Sequence, residues 1–263
     1  MLLQRIITAG IFGIAITAAL LFASPFVAAA VLGLLWLAGA WEWGGFAKLG
    51  LKARLAYTAL FAVALTLGWR WLDMETARIV LVAALAWWAV ALVLVISYPR
   101  QFGAPFVAVA GVVVLWPSYV LLVRLHDAAG ARLAFSVLLI VWAADVGAYV
   151  FGRLLGRTKL APAVSPGKTW EGVTGGLLLA GVAAGVSAAW VGFPTGRLVA
   201  LGVLTALVSV LGDLTQSMFK RNVGLKDSGK LLPGHGGVLD RIDSLTAAVP
   251  AFVGGLAALG LAP

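Results

Sequence analysis

RIVLVAALAWWAVALVLVIS, residues 78–97, carries one charge, Arg78, in twenty positions. A bilayer-spanning helix needs roughly 20 consecutive apolar residues, so this stretch reads as a transmembrane helix. Working outward from it gives eight more stretches of the same kind. The predicted spans lie at about 6–23, 26–46, 55–72, 78–97, 104–123, 133–152, 172–193, 197–217 and 245–262. Composition agrees with this reading. The chain is 62% hydrophobic and 11% charged, with a mean hydropathy of +1.05, whereas soluble domains are about 45–50% apolar and about 25% charged. So much apolar surface excludes a soluble fold and requires lipid as the solvent. The expected fold is an all-α polytopic membrane protein. It forms a single integral membrane domain over 1–263, with N-terminal helices in 1–130. The helices and cytoplasmic loops that carry the chemistry fall in 131–263. Arg5 before an apolar run, and the small residues of FVAAA, imitate a secretory signal, but a second span follows after Ser24-Pro25 with no soluble domain to export.

Lysine and arginine set the orientation, because cytoplasmic loops carry an excess of them. With the N-terminus inside, the inner segments hold fourteen of the nineteen basic residues and the outer segments five. An odd number of spans puts the C-terminus outside. The two richest loops, 153–171 and 218–243, then face the cytoplasm, where nucleotides are found. The formal net charge of +9 reflects these loops and an anionic ligand or lipid surface, so no nucleic-acid partner is expected. There is no cysteine, which excludes disulfides and thiolate metal sites. His126, predicted in an outer loop, leaves no second histidine for a zinc site near His235.

Ten acidic residues remain to be placed. Asp73, Glu75 and Asp127 read as solvated outer-loop charges. Asp145, in LLIVWAADVGAYVFGR, precedes Arg153 by eight residues, and Asp213, in LVSVLGDLTQSMFKR, precedes Lys220 by seven. At 1.5 Å per residue both carboxylates lie roughly 10–12 Å inward from a cytoplasmic basic residue. An intramembrane Asp costs about 2.5–3.5 kcal/mol. Two at matching depth point to a shared polar cavity; the plainer alternative is a buried pair that only packs helices. Asp213, Gln216, Ser217 and Lys220 share one helix stripe at i, i+3, i+4, i+7. Asp240 and Asp243 share a face if the last helix starts there, and helix capping alone also accounts for them. Glu42, in AWEWGGF, reads as structural or peripheral.

Clustered carboxylates amid lysine and arginine suit metal-assisted phosphoryl or nucleotidyl chemistry. Carboxylates hold hard cations such as magnesium, and basic residues neutralise phosphates. SPGKTWEG (165–172) reads as a Pro-Gly turn, a lysine, a hydroxyl and a helix start. It lacks P-loop spacing, and an ordinary juxtamembrane basic loop explains it equally well. His235 reads either as a general acid or metal ligand, or as a hydrogen-bonded loop residue.

The run SMFKRNVGLKDSGKLLPGHGGVLDRID, Ser217 to Asp243, resembles the signature of the phosphatidate cytidylyltransferases, also called CDP-diglyceride synthases. Ser217, Lys220, Arg221, Lys226, Asp227, Gly229, Leu232, Pro233, His235, Gly236, Gly237, Asp240, Arg241 and Asp243 all fit that pattern. SPGKTWEG, AADVGAYVFGR and AWEW are also similar to family segments. Gly167 departs from it, standing where the family often has lysine and leaving Lys168 as the matching lysine. The resemblance implies transfer of a cytidylyl group from CTP to phosphatidate, giving CDP-diacylglycerol and diphosphate in phospholipid biosynthesis. It implies magnesium, alone or paired with a monovalent cation such as potassium, at Asp213 and Asp240. Asp243 and Asp145 would be further ligands or would stand just behind the ligands. Lys220 and Arg241 would join the two aspartates in catalysis. Lys168, Ser217, Arg221, Lys226, His235 and the Gly234–Gly237 turn, with Gly236 and Gly237, would bind substrate. A homodimer in a bacterial-type cytoplasmic (inner) membrane is also implied.

The alternative is a CTP-dependent lipid kinase acting on a polyprenol or diacylglycerol, which would transfer the γ-phosphate instead. A transporter is disfavoured, because the acids crowd the cytoplasmic third and no inverted repeat is visible. The D-G-x(2)-A-R motif of CDP-alcohol phosphotransferases is absent.

Overall fold

The computed structural model describes residues 2–72, 74–229, 231 and 236–261. Among these are nine helices: α1 (Leu2–Phe22), α2 (Pro25–Phe46), α3 (Leu51–Trp71), α4 (Met74–Ile96), α5 (Ala104–Ala129), α6 (Ala131–Leu155), α7 (Trp170–Val191), α8 (Thr195–Asn222) and α9 (Leu239–Ala258). The chain is a multi-pass membrane protein, and α2 to α8 are long and apolar enough to cross a bilayer. Helices dominate for a simple reason: in hydrocarbon every backbone N–H and C=O must be satisfied within its own segment. Punctuation follows the sequence. Ser24 caps α2 through its hydroxyl, which accepts from the Val27 amide at 3.4 Å, and Pro25 opens the helix.

Three expectations need correction. The class is all-helical as expected, but the Pro-Gly turn read in SPGKTWEG is not a turn. A two-stranded antiparallel hairpin, β1 (Lys159–Ala161) with β2 (Ser165–Thr169), lies between α6 and α7. Pro166-Gly167 is therefore extended strand, and the turn sits at residues 162–164. Second, α5 runs past the predicted end near 123 to Ala129. Its polar end finds partners within the bundle: Arg124 Nη2 donates to Trp69 O at 2.6 Å, and His126 Nε2 lies 3.0 Å from Leu20 O. His126 is thus buried inside a helix, and Asp127 lies in the last turn of that helix, not in a loop. Third, α9 begins at Leu239, six residues earlier than predicted. Asp73, Lys230, Leu232, Pro233, Gly234, His235 and Ala262 lie outside the described residues.

The core is aromatic where the hairpin-bearing end meets α2. Trp43 donates to Val107 O at 2.7 Å and stands 5.3 Å from the Phe219 ring. Trp36 donates to Ser118 Oγ at 2.8 Å. α6 and α7 cross closely, since a Cβ on Gly147 would run into Gly175 O and lie 3.0 Å from Gly176 Cα. Gly181 and Gly185 face Val199 and Val203 of α8, so that pair packs within the chain.

That crossing yields a prediction. Gly147→Val must push α6 off α7, and overpacking of this kind costs about 1–3 kcal/mol or more. Its thermal midpoint in detergent should fall by several degrees, whereas Gly13→Ala, in open space, should leave it unchanged. An unaltered midpoint for Gly147→Val would show that the helices do not touch there.

Candidate active site

At one end of the bundle, α6, α7, α8, α9 and β2 enclose a cavity of about 570 Å³. Four carboxylates line it: Asp145 from α6, Asp213 from α8, and Asp240 and Asp243 from α9. The helix packing brings them together. Gly212 has no side chain, and a Cβ there would sit 2.6 Å from Asp243 O, so α8 lies directly on the start of α9. Ser244 bridges the next gap, donating to Asp145 Oδ1 at 3.3 Å while its amide donates to Asp243 Oδ1 at 2.8 Å.

Cations answer these charges. The Lys168 ammonium meets Asp213 Oδ2 at 2.6 Å, and Ser217 donates to Asp213 Oδ1 at 3.2 Å. Burial opposes the charge on Lys168, but the carboxylates of Asp213, Asp243 and Asp145 outweigh it and hold the amine above its ordinary value. Lys168 therefore stays an ammonium at neutral pH. Lys220 pairs with Asp240 Oδ1 at 2.7 Å, with both side chains one-tenth exposed. Arg153 and Arg241 also line the cavity.

Asp240 does more than carry charge. Its Oδ2 accepts the amides of Ser228 at 2.9 Å and Gly237 at 3.1 Å, so it pins two separate points of the loop between α8 and α9. Gly236, at φ +81°, makes the approach possible, since a Cβ there would lie 2.9 Å from that same oxygen. The capping reading of Asp240 and Asp243 does not hold for the first amides of α9. Those amides, Val238 and Leu239, donate to Glu42 at 3.1 and 2.8 Å, and Ser228 Oγ donates to it at 2.8 Å. Glu42 is 1% exposed, so it is structural and anything but peripheral. It caps α9 across the fold, from α2. Gly229 and Gly237 leave room for its carboxylate.

Six of the predicted site residues therefore share one cavity: Asp145, Lys168, Asp213, Asp240, Arg241 and Asp243. Ser217 and Lys220 reach it through the aspartates they hold. Arg221 turns instead to the hairpin, its guanidinium donating to Val164 O at 3.3 Å and Leu225 O at 3.0 Å. Lys226 is exposed on the loop. Gln216 does not face the cavity; it is fully buried elsewhere on α8. Two contributors were not read as site residues, Arg153 and Ser244, and Glu42, read as structural or peripheral, proves structural. Arg153 lies eight residues after Asp145, about two helical turns, a spacing that could have found it. No spacing connects Glu42 to the loop it holds.

Among the described residues no three His, Cys, Asp or Glu side chains are gathered tightly enough to hold a metal ion. A divalent cation here would take fewer than three carboxylates and complete its shell with phosphate oxygens and water, as magnesium commonly does. The all-oxygen donor set fits that cation.

The sequence profile of the Cytidylyltransferase family matches residues 3–258. The chain is 41% identical over 287 residues to a phosphatidate cytidylyltransferase of Haemophilus influenzae, covering 96% of this chain and 97% of that protein. It is 44% identical over 270 residues to one of Pseudomonas aeruginosa, covering 99% and 98%. A Synechocystis relative of the same name is 53% identical over 114 residues, 42% of this chain and 38% of that protein.

Replacing Glu42 tests the trans cap. Glu42→Ala leaves three buried donors without an acceptor, at about 1–3 kcal/mol each. The variant should melt several degrees lower and be cleaved by protease in the 223–238 loop. Glu42→Gln, which keeps one acceptor, should fall between. Parental melting and a parental digest for Glu42→Ala would rule the cap out.

Proposed function

The chain belongs to the cytidylyltransferase family, and from that premise we propose that it is a phosphatidate cytidylyltransferase. It forms CDP-diacylglycerol and diphosphate from CTP and phosphatidate. The observation that carries the reading is convergence. Asp213 and Asp240, far apart in sequence, line one cavity with Lys168 and Arg241 at the end of a membrane bundle. The names of its relatives favour nucleotidyl transfer over the lipid-kinase alternative.

The chemistry asks little of a base. A phosphate monoester loses its second proton near pH 6, so phosphatidate is largely a dianion at neutral pH. One of its oxygens attacks the α-phosphorus of CTP, a new P–O bond forms, and the bond to the β-phosphate breaks to release diphosphate. The barrier is repulsion between anions, which positioned positive charge lowers. Lys168, Lys220, Arg153 and Arg241 supply that charge, the two lysines shifting from Asp213 and Asp240 towards phosphates as substrate enters. Magnesium, held at Asp213 and Asp240 with Asp145 and Asp243 nearby, would neutralise the triphosphate, alone or beside a monovalent cation such as potassium. Arg221 fixes the hairpin against α8, and exposed Lys226 attracts the nucleotide to the loop. Nine spans, with the N-terminus and this cavity cytoplasmic in an inner membrane, complete the reading, together with assembly as a homodimer.

Two experiments test this. Asp213→Asn should lose nearly all turnover and melt somewhat lower, because the Lys168 ammonium loses the carboxylate it meets at 2.6 Å. Asp240→Asn should lose turnover and also melt lower, because the amide no longer matches Lys220 and two amide donors. Asp127→Asn should be nearly silent. Near-parental activity of Asp213→Asn at limiting magnesium would sink the cation assignment. Cysteines placed in 156–164 or 224–229 should react with an impermeant reagent only from the cytoplasmic side. Labelling from outside reverses the orientation.

A further inference from the structure

Phosphatidate has two parts, an anionic headgroup and two acyl chains, and the cavity described above suits only the first. A second depression, of about 690 Å³, adjoins it. Its walls are apolar: Leu92 and Ile96 of α4, Leu160 and Val164 of the hairpin, and Leu207 and Leu211 of α8. Among the described residues, no charged one lines it. Val210 lines both depressions. The helix spacing explains how: Val210 lies three residues before Asp213 and between Leu207 and Leu214, on the boundary of two adjacent faces of α8. The hairpin is likewise shared. Lys168 and Gly167 face the polar cavity, while Leu160 and residues 161–164 face the apolar groove. The groove opens to the lipid side, where Ile96 is 74% and Leu207 49% exposed.

We propose that this groove holds an acyl chain of phosphatidate during the reaction, so that the hairpin and Val210 form the divide between headgroup and tail. The proposal rests on the function given above. The occupant follows from continuity, because a groove joined at Val210 to a cation-lined cavity suits a molecule that is anionic at one end and aliphatic at the other. The groove's role is position rather than attraction. Lipid tails are as apolar as leucine, so moving a chain from bilayer to groove gains almost no hydrophobic free energy. It fixes where the phosphate arrives, and such positioning is worth much in a reaction between two anions.

The test uses the purified full-length protein in mixed micelles with CTP and magnesium. Leu207→Trp narrows the groove from its exposed rim. It should raise KM for dioleoyl phosphatidate about tenfold more than for dihexanoyl phosphatidate, a difference of about 1.4 kcal/mol. Equal changes for both lipids overturn the groove while leaving the activity standing. A second measurement needs neither the variant nor turnover. Phosphatidate with a photoreactive diazirine in its acyl chain should label peptides carrying 92–98, 160–164 and 207–214 in the parent protein. Unlabelled phosphatidate should compete with that labelling, and phosphatidylcholine should not. Equal competition by phosphatidylcholine means ordinary bilayer lipid fills the groove. Crosslinks from these residues to a second copy of the chain mean a subunit interface fills it. Either result overturns the proposal. Selective labelling with no CDP-lipid formed would keep the groove and discard the assigned reaction.

Discussion

One oxygen of Asp240 meets the Lys220 ammonium, and the other collects the amides of Ser228 and Gly237. On this single carboxylate the end of α8, the polar loop and the start of α9 are joined. The pair is nearly enclosed, and removing one partner from such a pair costs about 3–5 kcal/mol. The loop is glycine-rich and has little apolar surface of its own, so its shape rests on these contacts and on Glu42, which receives Ser228, Val238 and Leu239 from α2. Two buried acids thus hold Ser228 and residues 237–239 of that segment in place.

The cavity is close to electrically balanced. Asp145, Asp213, Asp240 and Asp243 stand against Lys168, Lys220, Arg153 and Arg241. That balance explains how so many charges survive at the end of an apolar bundle, where unpaired ones would be expensive. It also has a chemical consequence. A nucleotide triphosphate and a lipid phosphate add several negative charges, so the cavity with both substrates present requires extra positive charge.

The hairpin β1–β2 links the two halves of this arrangement. Thr169 caps α7 by accepting from the Gly172 amide at 3.1 Å, and Glu171 accepts the amides of Arg157 and Thr158. Arg221 fastens the turn to α8. A short strand, tied down at both ends, can thereby present Lys168 to one side while its partner strand offers leucine to the other.

The sequence alone determined the class of molecule and the family it belongs to. Runs of about 20 apolar residues can only be satisfied as helices in lipid, so the span positions were legible to within a few residues for most of the chain. Asp145 and Asp213 were legible as partners in one polar cavity, because an acid inside an apolar helix needs polar company. Tertiary structure decided what depended on partners distant in the chain. α5 extends to Ala129 because Trp69 O and Leu20 O receive its polar end. Gln216 leaves the cavity although it shares a helix stripe with Asp213, because periodicity fixes a face only to within a broad angle. Glu42 found its role 186 residues away at Ser228. No local pattern encodes that contact, because a buried carboxylate is stabilised by whichever donors the fold delivers to it.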